Sequence, residues 1–600
     1  MFGDLNEKET LNKNWLNNDL PIHNNQRSLK KYNRWLIPFW LLFIFIISSI
    51  FGKTVYNNNL LNLKVPDESL CPILEKINPN SYITNPDNIK YILEDDKFHE
   101  LLNKRFQNSI KIPTEIYDDM QDPVGNGSKD KRWYPFLWFH HYLEKTYPLI
   151  YKNLKVEKIN KLGLVYTWKG TDDKKKPIML TAHQDVVPVQ EATLNKWDSP
   201  PFDGHIDNKT GFIIGRGVCD CKNLLIGLLS TIEFLLEENK FKPKRTIILA
   251  FGYDEESAGE GAKHISNHLI SQYGENNFLQ IIDEGTAGYE NLNDRNFVFI
   301  ASGEKGHLNS QIEIFSIGGH SSVPDSHTSI GIIAKLINEI ESNPFKPILT
   351  KSNPVMSQLY CLAEHTNISK NLKSNILKSQ IDPQANARVI EYLNSKIETK
   401  YLIQTSQAVD IIEGGVKANA LPEHVSMLVN TRIAIESSVE ETVLHYKNLI
   451  EIIAKKYNFG FILNNETIIE PTEKGHFKYT TIEPLEPAPV SPQNESWKIF
   501  GGSLRYFYEN ILNTSTTTTT NTTQDPFIIT PFISTGNTDT KNYWKLTKNI
   551  YRYIPGNISS KSGGVHSVNE KINISSHYDI IAFYYYFLQV IDKVEDESFD

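Results

Sequence analysis

Four short stretches of this sequence end in the side chains that bind divalent metals. "TAHQD" carries His183 and Asp185, and "GRGVCDCKN" carries Asp220. "GYDEES" carries Asp254, Glu255 and Glu256, and "IIDEG" carries Asp283 and Glu284. Carboxylates crowded into one crevice repel and raise one another's pKa values unless cations share the space. A mixed set of imidazole and carboxylate donors suits zinc in an open catalytic site, with manganese or cobalt as alternatives. Two such ions about 3.5–4 Å apart can hold a bridging water, lower its pKa and polarise a carbonyl. Adjacent glutamates can then act differently, one binding metal while its neighbour faces the substrate as general base. Each cluster alone is ordinary, since acidic turns and hydrogen-bonded histidines are common at strand ends. Four in chain order, each behind its own apolar run, carry the reading.

Those apolar runs are the elements that must bring the clusters together. "PIML" (177–180), "GFII" (211–214), "TIILAF" (246–251) and "FLQII" (278–282) read as strands, and "NLLIGLLSTIEFLLEE" as a helix of about four turns. Strands alternating with helices over 96–305 predict an α/β catalytic domain, a mixed, mostly parallel sheet with helices on both faces. In such a sheet ligands bind at the carboxyl ends of the strands, where the four clusters should converge. From residue 306 the pattern changes. A strand in "HLNSQIEIFSI", a helix near 327–341, strands at 405–413 and 424–433, a helix at 437–456 and a strand near 459–464 form a βαββαβ series. A long Lys/Asn-rich segment at 345–400 interrupts it. We read 306–465 as an inserted α+β lid, with the catalytic domain resuming over 466–595. "NTSTTTTTNTTQ" (513–524) is low in complexity and reads as a solvent-exposed loop.

The 600 residues suit two or three domains, and 40% hydrophobic with 22% charged residues is an ordinary globular balance. A net charge of -9 without a basic stripe argues against a nucleic-acid partner. Cys71, Cys219, Cys221 and Cys361 are too few for a disulfide scaffold and lack CxxC spacing, so Cys219 and Cys221 read as inert thiols. Residues 35–52, "WLIPFWLLFIFIISSIFG", hold no charge and are long enough to cross a bilayer. Arg27, Lys30, Lys31 and Arg34 precede them and only Lys53 follows closely. The positive-inside rule then predicts a type II protein: a cytosolic tail (1–34), a transmembrane anchor, a stalk (53–95) and a lumenal or extracellular remainder. A polar head of more than 30 residues fits a cleaved signal peptide poorly. Glycosylation sequons at Asn126, Asn208, Asn367, Asn465, Asn494, Asn513, Asn521, Asn557 and Asn573 all follow the anchor.

With "HQDVVPV", "GRGVCDCKN", "GYDEESAGEGA", "IIDEG", "EKGHLNSQIEIFSIGGHSSVP", "GGVKANALPE", "STGNTDTKNYW" and "GGVHSVNEKI" in this order, the chain resembles the dizinc peptidases that include aminoacylase-1 and carboxypeptidase G2, in the carboxypeptidase S branch. The resemblance covers about 95–595. It implies two Zn2+ held by His183, Asp220 as the bridge, Glu256, His566 and a fifth ligand from "IIDEG", for which strand alternation allows one of two acids and Asp283 is preferred. It implies Asp185 orienting His183 and Glu255 as general base. His320 would stabilise the oxyanion, often across a dimer interface made by the lid. Arg432 and Asn419 would bind the substrate's carboxylate and carbonyl; Asp539 has no defined role. The implied activity is hydrolysis of the C-terminal amide of a peptide or N-blocked dipeptide, with an N-acyl (fatty acyl) amino acid hydrolase or synthase as the alternative. A non-catalytic glycoprotein of the same fold would have lost a ligand or the base, and none is missing. The branch also suggests a vacuolar, lysosomal or other secretory-pathway location.

Overall fold

The computed structural model describes residues 68–512, 525–558 and 563–596. The tail, the anchor, the first part of the stalk and the threonine-rich stretch lie outside these residues. Among the described residues no helix is long and apolar enough to cross a membrane.

The chain enters through α1 (Asp87–Glu94), α2 (Asp96–Ile110), α3 (Tyr134–Thr146) and α4 (Pro148–Asn153). It then builds β1 (Lys155–Ile159), β2 (Gly163–Trp168), β3 (Ile178–His183), a hairpin of β4 (His205–Asp207) and β5 (Phe212–Ile214), helix α5 (Lys222–Glu238) and β6 (Ile247–Gly252). Helix α6 (Glu260–Tyr273) leads to β7 (Gln280–Ala287), β8 (Glu290–Leu292) and β9 (Arg295–Glu304). Every residue of β3 and β6 is buried. That explains their unbroken apolar reading: a strand covered on both faces has no polar alternation to show. α5 is apolar around most of its circumference for the same reason, and ends where Asn239 turns left-handed at φ 52°.

The lid follows: β10 (Gly306–Ser316), β11 (Gly319–His320), α7 (Ser329–Ser342), α8 (Pro354–His365), α9 (Lys370–Lys378), α10 (Pro383–Asn394), α11 (Ile397–Lys400), β12 (Ser406–Gly414), β13 (Ala420–Leu421), β14 (His424–Ile433), α12 (Val439–Tyr457), β15 (Gly460–Leu463), β16 (Glu466–Ile469) and β17 (Gly475–Leu485). The chain closes with α13 (Glu495–Tyr506), β18 (Ile528–Ser534), β19 (Ile550–Ile554), β20 (Lys571–Asn573) and α14 (Ser575–Lys593).

Among the described residues the main sheet runs β1-β2-β6-β3-β7-β19-β9-β18, with β8 paired to β9. Its centre, β6-β3-β7-β19, is parallel, and antiparallel pairs flank it. α5 and α14 pack on one face and α6 on the other. β5 is not part of this sheet. Only three residues long, it pairs antiparallel with β4 and β20 in a small separate sheet. "GFII" therefore delivers Asp220 from beside the main sheet, not from a strand end within it.

The second sheet runs β12-β14-β10-β17-β15-β16, with α7 and α12 on one face. It extends past residue 465, because β17 (Gly475–Leu485) inserts between β10 and β15. The polar turn at Asn464–Asn465 is a hairpin inside the sheet and not its end. The Lys/Asn-rich segment is also ordered. α8, α9 and α10 form an apolar cluster with Ile533 and Phe532 of β18, so this segment covers an edge of the catalytic sheet. Cys71 is joined to Cys361 of α8 by a disulfide, a pairing the cysteine spacing did not disclose.

His577, one turn into α14, stacks on Phe106 and shares a hydrogen bond with Asn223 Oδ1 at 2.8 Å. Burial pushes its pKa down to about 3. The unfolded chain protonates this ring near its ordinary value of about 6.5, so below that pH the unfolded state binds more protons and stability falls. The His577→Gln variant is expected to be less stable than the parent at pH 7 and to lose about 2 kcal/mol of that deficit by pH 5. Urea titrations of both proteins at the two pH values measure it; a deficit that stays constant would mean His577 is not held neutral.

Candidate metal centre

His183 is the last residue of β3, and its fully buried ring is fixed from both sides. Nδ1 lies 3.0 Å from the Asp185 carbonyl oxygen and 3.2 Å from Asp185 Oδ1. Nε2 faces outward, 2.9 Å from Asp220 Oδ1 and 3.2 Å from Glu284 Oε1. The second oxygen of Asp220 lies 3.1 Å from His566 Nε2, which is also 2.9 Å from Glu256 Oε1. Three groups of potential ligand atoms result, each within 4.8 Å; the first holds His183, Asp220, Cys221 and Glu284, and the second Asp220, Glu256 and His566. Asp220 belongs to both. A third joins Glu255 and Glu256 to His183.

The three acids after β6 divide their work. Asp254 accepts from the backbone N–H of Glu260 and Gly261, at 3.0 and 2.8 Å, and so caps α6. Glu256 turns to His566. Its backbone N–H donates to Asp185 Oδ2 at 3.0 Å, which joins the β6 and β3 ends.

Asp283 is not in the cluster. Strand alternation holds up to Asp283, which pairs with Arg552 of β19, but the register then slips and Thr286 is the next residue paired. Glu284 and Gly285 form the bulge, Gly285 at φ 137°, and the bulge aims Glu284 at His183. Asp283 points to the other side, into the field of the buried Glu304–Arg552 pair. The preference for Asp283 over Glu284 is thus corrected by one irregularity in the strand. Asp539, fully buried, sits against Gly252, where a Cβ would come within 2.1 Å of its Oδ2.

The electrostatics fit a cation-binding site. Burial, then the charge of Asp220, raises Glu284 to about 8. Burial likewise raises Glu255 and Glu256. Burial opposes charge on Asp220 too, but His183 and His566 hold its carboxyl well below the usual range. Hydrogen bonds to Asp220 and Glu256 push His566 up to about 10. Without positive charge between them Glu284 would hold a proton at neutral pH, and Glu255 and Glu256 bind theirs more tightly than free carboxylates do. Divalent cations would replace those protons, and the nitrogen and oxygen donors present suit zinc, manganese or cobalt.

Sequence reasoning missed Glu570, four residues after His566. Its Oε1 accepts from the backbone N–H groups of Gly217, Cys219 and Asp220, at 3.1, 2.8 and 3.3 Å, and Oε2 meets Arg216 Nη1 at 2.6 Å. One buried carboxylate therefore holds the loop that presents Asp220. An acid immediately before a strand that pairs with β5 was the available signal. Glu570→Ala leaves Arg216 buried and unpaired, at an expected cost of about 3–5 kcal/mol, read as lost thermal stability. Glu570→Gln, which keeps an acceptor for the N–H groups, should lose less; equal losses would show that the loop does not depend on those bonds.

The lid residues stand apart from the cluster. β11 and β13 pair His320 with Ala420, and Ser321 N–H donates to the Asn419 carbonyl, so His320 and Asn419 share one exposed two-stranded ribbon. His320 Nδ1 contacts Ser322 Oγ at 2.7 Å. Among the described residues no hydrogen bond or ion pair links this ribbon to the acids. Arg432 of β14 reaches toward the catalytic domain, donating to Asn537 Oδ1 at 2.9 Å, and Asn537 donates to the Lys305 carbonyl. Arg432 is partly buried there, and among the described residues it forms no ion pair with a carboxylate.

The model of Peptidase family M20/M25/M40 matches residues 179–590. Carboxypeptidase S of Saccharomyces cerevisiae is 42% identical over 531 residues, covering 87% of this chain and 89% of that protein. The N-fatty-acyl-amino acid synthase/hydrolase PM20D1 of Homo sapiens is 29% identical over 82% of this chain and 88% of its own length. Among solved structures, the di-peptidase Dug1p of Saccharomyces cerevisiae superposes with a TM-score of 0.57 at 15% identity, over 84% of this chain and 98% of that one, a likeness of fold. The chain belongs to peptidase family M20/M25/M40 and is a metallohydrolase similar to carboxypeptidase S.

Proposed function

We propose that this member of the family is a dizinc carboxypeptidase, anchored in a membrane by residues 35–52 with its catalytic part in the lumen of the secretory pathway, vacuole or lysosome, or outside the cell. It would cleave the C-terminal amide bond of peptides or N-blocked dipeptides. The observation that carries the reading is Asp220, whose two oxygens face two different histidines at 2.9 and 3.1 Å. A carboxylate so placed would offer one oxygen to each of two cations. His183 and Glu284 would complete one ligand set, and Glu256 and His566 the other.

Bound there, the ions would supply an activated water and polarise the scissile carbonyl. Glu255 would take the water's proton and pass it to the leaving amine. Asp185 would keep the His183 ring oriented with Nε2 outward. Arg432, partly buried and without an ion-paired acid among the described residues, would receive the carboxylate of the substrate, and Asn419 its carbonyl. His320, exposed on its ribbon, would complete an oxyanion site, supplied by the lid of a second copy in a homodimer. The Cys71–Cys361 disulfide supports an oxidising compartment.

Similarity to PM20D1 supports a second reading, hydrolysis or synthesis of N-fatty-acyl amino acids. Full-length protein in detergent, assayed on a blocked dipeptide and on an N-oleoyl amino acid with and without a chelator, separates the two. Faster, chelator-sensitive turnover of the dipeptide supports the carboxypeptidase, and preference for the oleoyl compound the alternative. Chelator-insensitive turnover of both would overturn the metal mechanism.

A further inference from the structure

We propose that Asn208 and Asn465 carry N-linked oligosaccharides, and that the fold withholds Asn494, a third residue in the same sequence context. The inference rests on the lumenal topology proposed above.

Asn208 and Asn465 begin Asn-x-Thr sequons, "NKT" and "NET", and each lies in the turn of a hairpin. Asn208 joins β4 to β5. Asp207 organises that turn: its Oδ1 accepts from Lys209 N–H at 2.9 Å, and its Oδ2 accepts from Thr210 at 2.7 Å. Asn208, Lys209 and Thr210 are all exposed. Asn465 joins β15 to β16. The turn needs two left-handed residues, Asn464 at φ 47° and Asn465 at φ 70°, and asparagine tolerates that conformation better than most residues. The two asparagines then differ. Asn464 is tied down, donating to Thr481 Oγ1 at 3.0 Å and accepting from Thr481 N–H at 2.9 Å. Asn465 and Thr467 are exposed.

Asn494 has the opposite surroundings. It caps α13, with Oδ1 accepting from Ser496 and Trp497 N–H, while Nδ2 donates to Asn549 Oδ1 at 3.0 Å. The hydroxyl its sequon requires, that of Ser496, is buried and bonded to Gln280 Oε1 at 2.7 Å. A sugar on Asn494 Nδ2 would replace the Asn549 bond and enter the interior. A chain carrying one could not complete this fold.

The chemistry needs an oligosaccharide donor activated as a diphosphate, and its transferase. The asparagine amide nitrogen forms a bond to the anomeric carbon, the carbon–oxygen bond to the diphosphate breaks, and the diphosphate leaves with the bonding pair. The amide loses one proton to the transferase. The two sites share a further property: β4 and β16 are the terminal strands of their sheets. An unpaired strand edge invites pairing with another chain, and a bulky hydrophilic group at its turn obstructs that approach.

The test is glycopeptide mapping of the full-length protein made in a eukaryotic secretory host, with Asn208→Gln and Asn465→Gln made singly and together. Sugar should be found on Asn208 and Asn465 and be absent from Asn494. Each single variant should migrate one step faster on a gel, and the double variant two. The double variant should keep its turnover per active site. Occupied Asn494 in active enzyme, or bare Asn208 and Asn465 beside other occupied sequons, would overturn the site assignment alone. A protein with no sugar at any sequon would overturn the lumenal topology and this inference together.

Discussion

Asp220→Asn should empty the centre. Metal content is expected to fall from two ions per chain to less than one, and hydrolysis by on the order of a thousandfold or more, equivalent to about 4 kcal/mol of transition-state stabilisation. The substitution is nearly isosteric, so the backbone need not move. What changes is the donor set: an amide offers one oxygen and an NH2 group in place of two anionic oxygens. Whichever way it turns, one histidine faces an N–H that cannot bind a cation. Elemental analysis of the purified variant beside the parent measures the loss. Two retained ions with normal turnover would remove Asp220 as a bridge and the proposed mechanism with it.

Glu255→Gln should separate metal binding from catalysis. Both ions are expected to stay, because Glu255 is not needed to complete either ligand set, while kcat falls by about 10²–10⁴ with KM little changed. Glu256→Gln, one residue away, should instead lose metal, since Glu256 shares His566 with Asp220. Opposite outcomes from identical changes at adjacent positions are the distinctive expectation. If Glu255→Gln also lost metal, the glutamate would be a ligand and the base would have to be found elsewhere.

The cluster was legible because its members are tied to features that survive in one dimension. His183 and the acids after β6 end fully buried strands, which announce themselves as apolar runs stopping at a polar word. Asp220 was legible for a weaker reason, since the run before it, "GFII", belongs to a small separate sheet. His566 follows no strand and stands in a loop at φ 59°; family resemblance alone pointed to it. Alternation said only that one of Asp283 and Glu284 could face the site, and the preference for Asp283 came from family resemblance; which acid turns inward is set by the bulge at Glu284–Gly285, which depends on pairing with β19, about 270 residues away. Glu570 escaped for a related reason: an acid that holds three N–H groups of a distant loop looks like any surface glutamate until the loop is beside it. The helices of 345–400 were hidden by their composition, since their short apolar faces bury against Ile533 and Phe532, which are remote in the chain.

The link between Cys71 and Cys361 spans 290 residues and encloses β1 to β11, and with them His183, Asp220, Glu255, Glu256 and Glu284. Exposed loops are where proteases cut a folded chain. A single cut within that enclosed stretch would not release a fragment. The severed pieces would stay one covalent molecule, migrating as intact chain until a thiol reductant parts them. Ageing of the enzyme among proteases would then be invisible on a non-reducing gel and plain on a reducing one.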